Sequence, residues 1–347
     1  MSKNFDCVCG NMDILMYNNT VKKIKDVKKG DVVYSVQFSG DGYRYVKGEV
    51  TGLNRRKGKA VKITLADGRR LICSPNHQWL TQSGWHFTYD DETLSPGKVY
   101  LKEDTKMFGF TGKIPKIVTE TKHYMEGYFL GAEVFGKNLV GFKGGEMAEF
   151  VLQNAETTTR MYNYLLYLGA DVTLEDCFAH DKVTNEYYVT KKMNISYKDL
   201  LALSVKYGKN LEKEEFLRGF VAGAYDSDGT ANPIVKNVNT SKKEYLEIVK
   251  NGVELFGFEF SYDSKKRMAT LLGGPSELLR FYNIYNPITS YKLENVDITH
   301  LHKERIKVAS IEEVKCDELV ELTVSSRSFI ANGIVSHNCT TGMVKEV

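Results

Sequence analysis

No run of eighteen uninterrupted apolar residues occurs in this 347-residue sequence, which argues against a membrane-spanning helix. The opening residues MSKNFDCVCG lack an apolar signal core, so the cytoplasm is the expected compartment. The net charge is only +3, too small to argue for a nucleic-acid partner unless local patches do so. Six cysteines, at 7, 9, 73, 177, 316 and 339, show no zinc-ligand spacing; Cys7 and Cys9 form Cys-x-Cys with no matching pair. In such a chain they read as free thiols rather than a disulfide frame.

What remains is a chain too long for one average domain and apolar enough for a packed core, so two domains, or one with a large insertion, are expected. Residues 7–36 and 46–88 read as short alternating strands and turns, and Asp67-Gly68 between two apolar runs is a hairpin signal. Charge rises near Lys102–Lys122, and from there to about His300 the texture becomes helical with intervening strands. Strand character returns in IKVASIEEVKCDELVELTVSSRSFIANGIVSHN. This pattern predicts an all-β module interrupted by a mixed domain.

The middle segment is self-similar at an offset of 92 residues, Glu126–Lys137 against Arg218–Gly229. Each copy carries Gly-x-x-x-Gly: Gly127 and Gly131, then Gly219 and Gly223. On a helix these glycines share one face and let a second backbone approach closely. Glycine weakens a helix, so two such helices are expected to pack on each other.

Near the end of the chain His337, Asn338 and Cys339 place three chemistries in one tripeptide. An Asn side-chain amide can attack its own backbone carbonyl and release the residues downstream of it. A Cys thiol is a strong nucleophile once deprotonated. A His exchanges a proton near neutral pH. Cys7 lies close to the other end of the sequence, and Ser74-Pro75-Asn76-His77 comes after a strand between them.

Together these residues resemble the junction motifs of inteins. Cys7-x-x-Gly10-Asn11 matches the opening block, IKDVKKGDVVYS the strand after it, and FIANGIVSHNC the closing junction. Cys7 rather than Cys9 is the matching nucleophile, because Gly10-Asn11 then falls at the family's offset. Ser74 stands where inteins usually have Thr in Thr-x-x-His, with His77 retained. Glu321 stands where many have Asp, and the usual His between Val324 and Phe329 is absent, with Arg327 nearest. The resemblance implies cofactor-free protein splicing, in which 7–338 is excised and Asp6 is joined to Cys339. The implied catalytic set is Cys7, Ser74, His77, Glu321, His337, Asn338 and Cys339. Ser74, or backbone amides near it, is expected to stabilise the oxyanion. The implied fold is a mainly β horseshoe of the Hint type, split in sequence by an α+β domain. The expected boundaries are flanking remnants at 1–6 and 339–347, and splicing segments at 7–105 and 305–338.

The intervening 106–304 resembles a LAGLIDADG homing endonuclease, since FVAGAYDSDGT matches that motif almost position for position. It implies αββαββα-type pseudo-repeats over about 120–210 and 211–300, Mg²⁺ as cofactor for any cleavage, and double-stranded DNA as partner. Asp228 matches the metal-binding acid. Aligned by the glycines, the first copy has Gly136 at that position and Lys137 at the position of Gly229, so impaired cleavage is expected. Glu133 replaces the lost acid only if the alignment slips.

The competing readings are an active site-specific DNA endonuclease with splicing secondary or lost, a Hedgehog-like domain that only cleaves, and a non-catalytic DNA-binding module. The last would use the basic runs Arg55–Lys59 and Lys265–Arg267. Asn338-Cys339 argues against the Hedgehog-like reading. The flanking exteins in cis are the expected partners of a monomer that has no membrane partner.

Overall fold

The computed structural model describes residues 6–39, 42–89, 98–110, 120–136, 139–143, 146–152, 154–181, 185–230, 232, 234–235, 243–289 and 306–338. The chain begins with strands β1 (Val8–Cys9), β2 (Asp13–Leu15), β3 (Val21–Lys23), β4 (Val32–Ser39), β5 (Gly42–Leu65), β6 (Arg70–Cys73), β7 (Gln78–Thr81) and β8 (Gly84–Phe87). Then come α1 (Lys122–Phe135), β9 (Leu139–Lys143), β10 (Met147–Phe150), α2 (Ala155–Tyr167), β11 (Val172–Asp181), β12 (Glu186–Ser196) and α3 (Tyr197–Tyr207). A second helical stretch gives α4 (Glu214–Asp228), α5 (Lys243–Glu254), β13 (Phe260–Asp263), β14 (Met268–Leu271) and α6 (Gly274–Tyr285). The chain closes on β15 (Val308–Val324), β16 (Ser328–Ala331) and β17 (Ile334–His337). Among the described residues no helix is long and apolar enough to cross a membrane.

Two compact units result, one of residues 1–115, 274–283 and 293–347, the other of 116–273 and 284–292. The first unit holds a five-stranded sheet in the order β15-β1-β6-β5-β4 and a six-stranded sheet in the order β3-β2-β16-β17-β7-β8. Its strands pair antiparallel, and the long β5 and β15 run beside each other from Val50↔Val324 to Leu65↔Val308. Asp67-Gly68 turns β5 into β6 as expected, with Gly68 at φ +80° and its N–H on the Leu65 carbonyl. Asn332-Gly333, both at positive φ, turns β16 into β17; this tight turn matches the twist of paired strands. Val8, Ile14, Ile63, Leu71, Trp79, Val320, Leu322 and Ile334 pack without exposed surface at the core. Burial of such side chains stabilises by about 1.5–3 kcal/mol each.

In the second unit α1 and α4 pack face to face through the four glycines read from the sequence. A Cβ on Gly127 or Gly131 would meet the backbone of Phe216 or Phe220 at 2.0 and 2.1 Å, and one on Gly219 or Gly223 would meet Tyr124 or Tyr128 at 1.9 and 2.1 Å. Thr121 caps α1 by accepting the Tyr124 N–H at 3.2 Å. The first copy runs α1-β9-β10-α2-β11-β12-α3, with β11-β12-β10-β9 forming one sheet. The second copy has α4, α5 and the hairpin β13–β14, and Val235 bridges Ala269 of β14.

Candidate active site

β1 sits in the five-stranded sheet between β15 and β6, with Val8 opposite Val320 and Cys73. β17 sits in the six-stranded sheet between β16 and β7, with Ser336 opposite Trp79. The chain leaves the first sheet after Cys73 and joins the second at Gln78. The turn that crosses between them is Ser74–His77. Two of its atoms touch Cys7, and a third touches Ser336, the neighbour of His337.

At the N-terminal side, Cys7 is 2% exposed and its sulfur is a free thiol. The Cys7 N–H, which belongs to the Asp6–Cys7 peptide bond, donates to Ser74 Oγ at 3.0 Å. The Ser74 N–H returns a bond to the Cys7 carbonyl at 2.8 Å, and the His77 N–H donates to the Ser74 carbonyl at 3.1 Å. The described hydroxyl contact of Ser74 is therefore on the nitrogen side of the bond, where sequence reasoning expected an oxyanion partner.

His77 is fully buried. Its Nε2 lies 2.7 Å from Ser336 Oγ, and its Nδ1 has no hydrogen-bond partner among the described residues. Thr88 holds its backbone, donating Oγ1–H to the His77 carbonyl at 2.7 Å, while the Trp79 ring stands edge-on at 4.8 Å. Burial, reinforced by the charge of His337, pushes the imidazole down to about 3, so it is neutral near neutral pH. Burial likewise pushes the neighbouring Cys73 thiol up to about 12, which leaves it protonated and inert.

At the C-terminal side, His337 Nδ1 lies 2.6 Å from the backbone carbonyl oxygen of Asn338. A carbonyl only accepts, so Nδ1 carries the proton. Trp85 stands edge-on to this ring at 4.8 Å. Burial lowers the pKa of His337, the bond to Asn338 opposes that shift, and the charge of Arg327 adds to it. The Asn338 side chain is clamped: Nδ2 donates to the Val324 carbonyl at 3.0 Å and Oδ1 accepts the Val324 N–H at 3.0 Å. Its own N–H donates to the carbonyl of Arg327, a turn residue at φ +64°.

Glu321 is not brought to these groups by any hydrogen bond or ion pair among the described residues. It is 1% exposed, and its carboxylate meets Arg56 and Asn54, each at 3.3 Å. Cys339 and Lys137 lie outside the described residues. Sequence reasoning missed Ser336, although a serine on the same strand face as fully buried Ile334 is itself a signal of a buried polar partner. It also missed the Val324 backbone, which carries no side-chain signal at all.

No family model and no curated protein matches the sequence. Among solved structures, a variant of the gp41-1 intein is 30% identical over 30% of this chain and 68% of that one, with a TM-score of 0.22. The chain belongs to the intein family. A crystal structure of a variant of the Ssp DnaB mini-intein aligns with this intein over 99% of each chain at 10% identity and a TM-score of 0.36. Variants of the homing endonuclease I-DmoI align over 48% of this chain and 98% of that one, at 17% identity and a TM-score of 0.34. The second unit is the one that holds the FVAGAYDSDGT stretch, on α4 and the residues after it.

In that unit the two helix ends are unlike. Gly136 N–H caps α1 on the Ala132 carbonyl and Gly229 N–H caps α4 on the Tyr225 carbonyl, both at 2.8 Å. Gly136 and Gly229 each follow the last helical residue, which is Phe135 in α1, buried against Phe220, and Asp228 in α4. Across the crossing the 92-residue offset holds, Gly127 meeting Phe216 as Gly219 meets Tyr124, so Gly136 stays opposite Asp228 while α1 ends one residue sooner after its second glycine. The same offset sets Glu133 opposite Tyr225, three residues before the position of Asp228. Asp226 is itself occupied in structure: it accepts from Tyr128 Oη at 2.8 Å, Ile288 N at 2.9 Å and Thr289 Oγ1 at 2.7 Å. Asp228 is 3% exposed, and the described residues contain no group of three His, Cys, Asp or Glu that could hold a metal ion. This donor set does not fit a Mg²⁺ centre shared between the two helices.

Proposed function

We propose that the intein excises residues 7–338 and joins Asp6 to Cys339. The observation that carries this reading is the unbroken contact path Cys7–Ser74–His77–Ser336–His337–Asn338, which links both junctions inside one unit. In the first step Cys7 Sγ attacks the Asp6 carbonyl carbon, the Asp6–Cys7 C–N bond breaks, and the proton lost by sulfur ends on the Cys7 nitrogen. An amide nitrogen leaves poorly unless protonated; Ser74 Oγ, which accepts that N–H at 3.0 Å, supports a role for this turn in the transfer, with His77 three residues along it as the acid. Cys339 Sγ then attacks the thioester carbon, displaces the Cys7 thiol and collects the upstream segment.

Asn338 Nδ2 next attacks its own backbone carbonyl, forming a succinimide and releasing the amino group of Cys339. Negative charge builds on the oxygen that already accepts His337 Nδ1–H at 2.6 Å, which makes His337 an oxyanion donor. The Val324 clamp must open first, since it points the attacking nitrogen at a different carbonyl. The freed amine of Cys339 takes the acyl group from its own sulfur, leaving a normal peptide bond. Each step is intramolecular, so the fold supplies rate mainly by holding ends together, with effective molarities on the order of 10⁵ M.

The test compares intact masses of freshly expressed wild type and the Cys7→Ala, Asn338→Ala double variant. Wild type is expected to yield the excised 7–338 fragment and the ligated flanks while the variant stays whole; full-length chains from both would refute splicing for these flanks.

For the inserted unit we infer binding to duplex DNA with impaired double-strand cleavage. The reading rests on Phe135 and Gly136 at the end of α1, where a second carboxylate would be needed for a two-sided metal centre. Selection of bound sequences from a random duplex pool, and then incubation with Mg²⁺, tests both halves. Enrichment without double-strand breaks is expected, and efficient cutting would overturn the impairment.

A further inference from the structure

Buried deeper than any other polar contact at the junctions is the bond between His77 Nε2 and Ser336 Oγ. Both residues are fully buried and the separation is 2.7 Å. Ser336 lies on β17, one residue before His337, so this bond joins the N-terminal turn to the C-terminal junction strand. It admits two proton arrangements. In one, the serine hydroxyl donates to Nε2 and the ring proton sits on Nδ1. In the other, Nε2–H donates to the serine oxygen and the hydroxyl proton must go elsewhere. The other acceptor near that hydroxyl among the described residues is the His337 carbonyl at 3.5 Å, too long to compete with a 2.7 Å bond. The second arrangement therefore leaves both the Nδ1 lone pair and the hydroxyl proton poorly matched, whereas the first leaves only Nδ1–H. Buried groups are strongly selected toward having partners, so the first arrangement prevails.

Resting on the splicing reading above, we infer that Ser336 is a positioning residue whose hydroxyl donates to Nε2 and holds His77 as the Nδ1–H tautomer for the N-terminal step. Because Nε2 is committed to Ser336, the ring nitrogen left to serve the Asp6–Cys7 bond is Nδ1, and Ser336 makes it a hydrogen-bond donor rather than an acceptor. The ring is neutral near neutral pH, so no positive charge overrides this choice. The same contact gives β17 a say in the first reaction: a strand displaced at the C-terminal junction would release the hydroxyl and free the ring to change tautomer.

The experiment uses full-length precursor carrying Asn338→Ala, in which Asn cyclisation is blocked and the acyl group stays as a thioester on Cys7 or Cys339, and monitors its release by dithiothreitol. Ser336→Thr keeps a hydroxyl and Ser336→Val keeps the same branched shape without it, and both residue types suit a strand. Expected results are a rate within about threefold for Thr and a loss of at least tenfold for Val. The ¹⁵N spectrum of His77, recorded in the Cys7→Ala, Asn338→Ala precursor, is expected to show Nδ1 protonated with Thr and the proton moved to Nε2 with Val. Equal rates for the two variants, or an unchanged tautomer in Val, would overturn the inference. If the Asn338→Ala precursor with Ser336 intact is not cleaved by thiol, the splicing reading itself fails, which keeps the two failures apart.

Discussion

The α1–α4 crossing allows a sharp sign test, because helix propensity and packing predict opposite outcomes for Gly→Ala. In an isolated helix alanine is favoured over glycine by about 0.8–1.0 kcal/mol. At Gly131 or Gly223 the added methyl would sit 2.1 Å from the backbone oxygen of Phe220 or Tyr128, where side-chain carbons do not come within 3.0 Å. The helices would have to part by roughly 1 Å, and no rotamer change can relieve a contact with backbone. Overpacking costs about 1–3 kcal/mol, and a rigid contact belongs at the upper end. The net expectation is a loss of about 2 kcal/mol for either single substitution. The two are neighbours in one interface, so they are not expected to add. Hydrogen exchange read by mass spectrometry across a urea series, in the splicing-dead Cys7→Ala, Asn338→Ala background, reports the stability of peptides from 214–228 directly. Alanine variants that are neutral or gain about 1 kcal/mol would mean that these glycines do not mediate a backbone crossing.

Four further outcomes are expected. His77 is held near 3 in the fold against about 6.5 unfolded, so its contribution is complete above pH 6.5 and is lost as pH falls toward 3. At pH 5 the loss is about 2 kcal/mol in the splicing-dead precursor, measured by urea unfolding, and a stability that is flat from pH 6.5 to 5 would contradict it. His337→Ala removes the donor on the Asn338 carbonyl and should slow C-terminal cleavage by about 10²–10³-fold, leaving thiol-induced cleavage at Cys7 within a few-fold; equal slowing of both steps would point to misfolding. Asn332→Ala strips partners from the Asp13 N–H and the Arg70 carbonyl and puts alanine at φ +46°, so a loss of about 2–3 kcal/mol is expected in the same unfolding assay, and a loss under about 0.5 kcal/mol would contradict the count. Asp228→Ala should abolish any residual nicking of bound duplex while leaving its affinity within about threefold; persistent nicking would place the scission chemistry elsewhere.

Much of this arrangement is legible in the sequence, for local reasons. Asp67-Gly68 and Asn332-Gly333 turn because few other residues accept positive φ where these turns need it. The glycines of α1 and α4 are spaced to share one helix face, so their joint role follows from period alone. Cys7, His77 and Asn338 are conspicuous through their chemistry. What stayed hidden depends on distant backbone. The clamp on Asn338 comes from the main chain of Val324, where any residue type would serve, and the contact of Ser74 with the Cys7 nitrogen is fixed by how β6 lies beside β1. Glu321 was read into the site by its place in a motif, yet the register of β15 against β5 sets it opposite Asn54 and within reach of Arg56.

The two acids of the α4 terminus divide along the same line. Asp226 binds the 286–289 segment through three donors, and Arg160, 3.8 Å away, bonds the Asn286 carbonyl and Glu120. These contacts close the second unit by tying the segment before α1 to the segment after α6, a role that serves folding and needs no metal. At the end of α1 there is no such carboxylate: Phe135 is buried against Phe220 and Gly136 caps the helix on the Ala132 carbonyl.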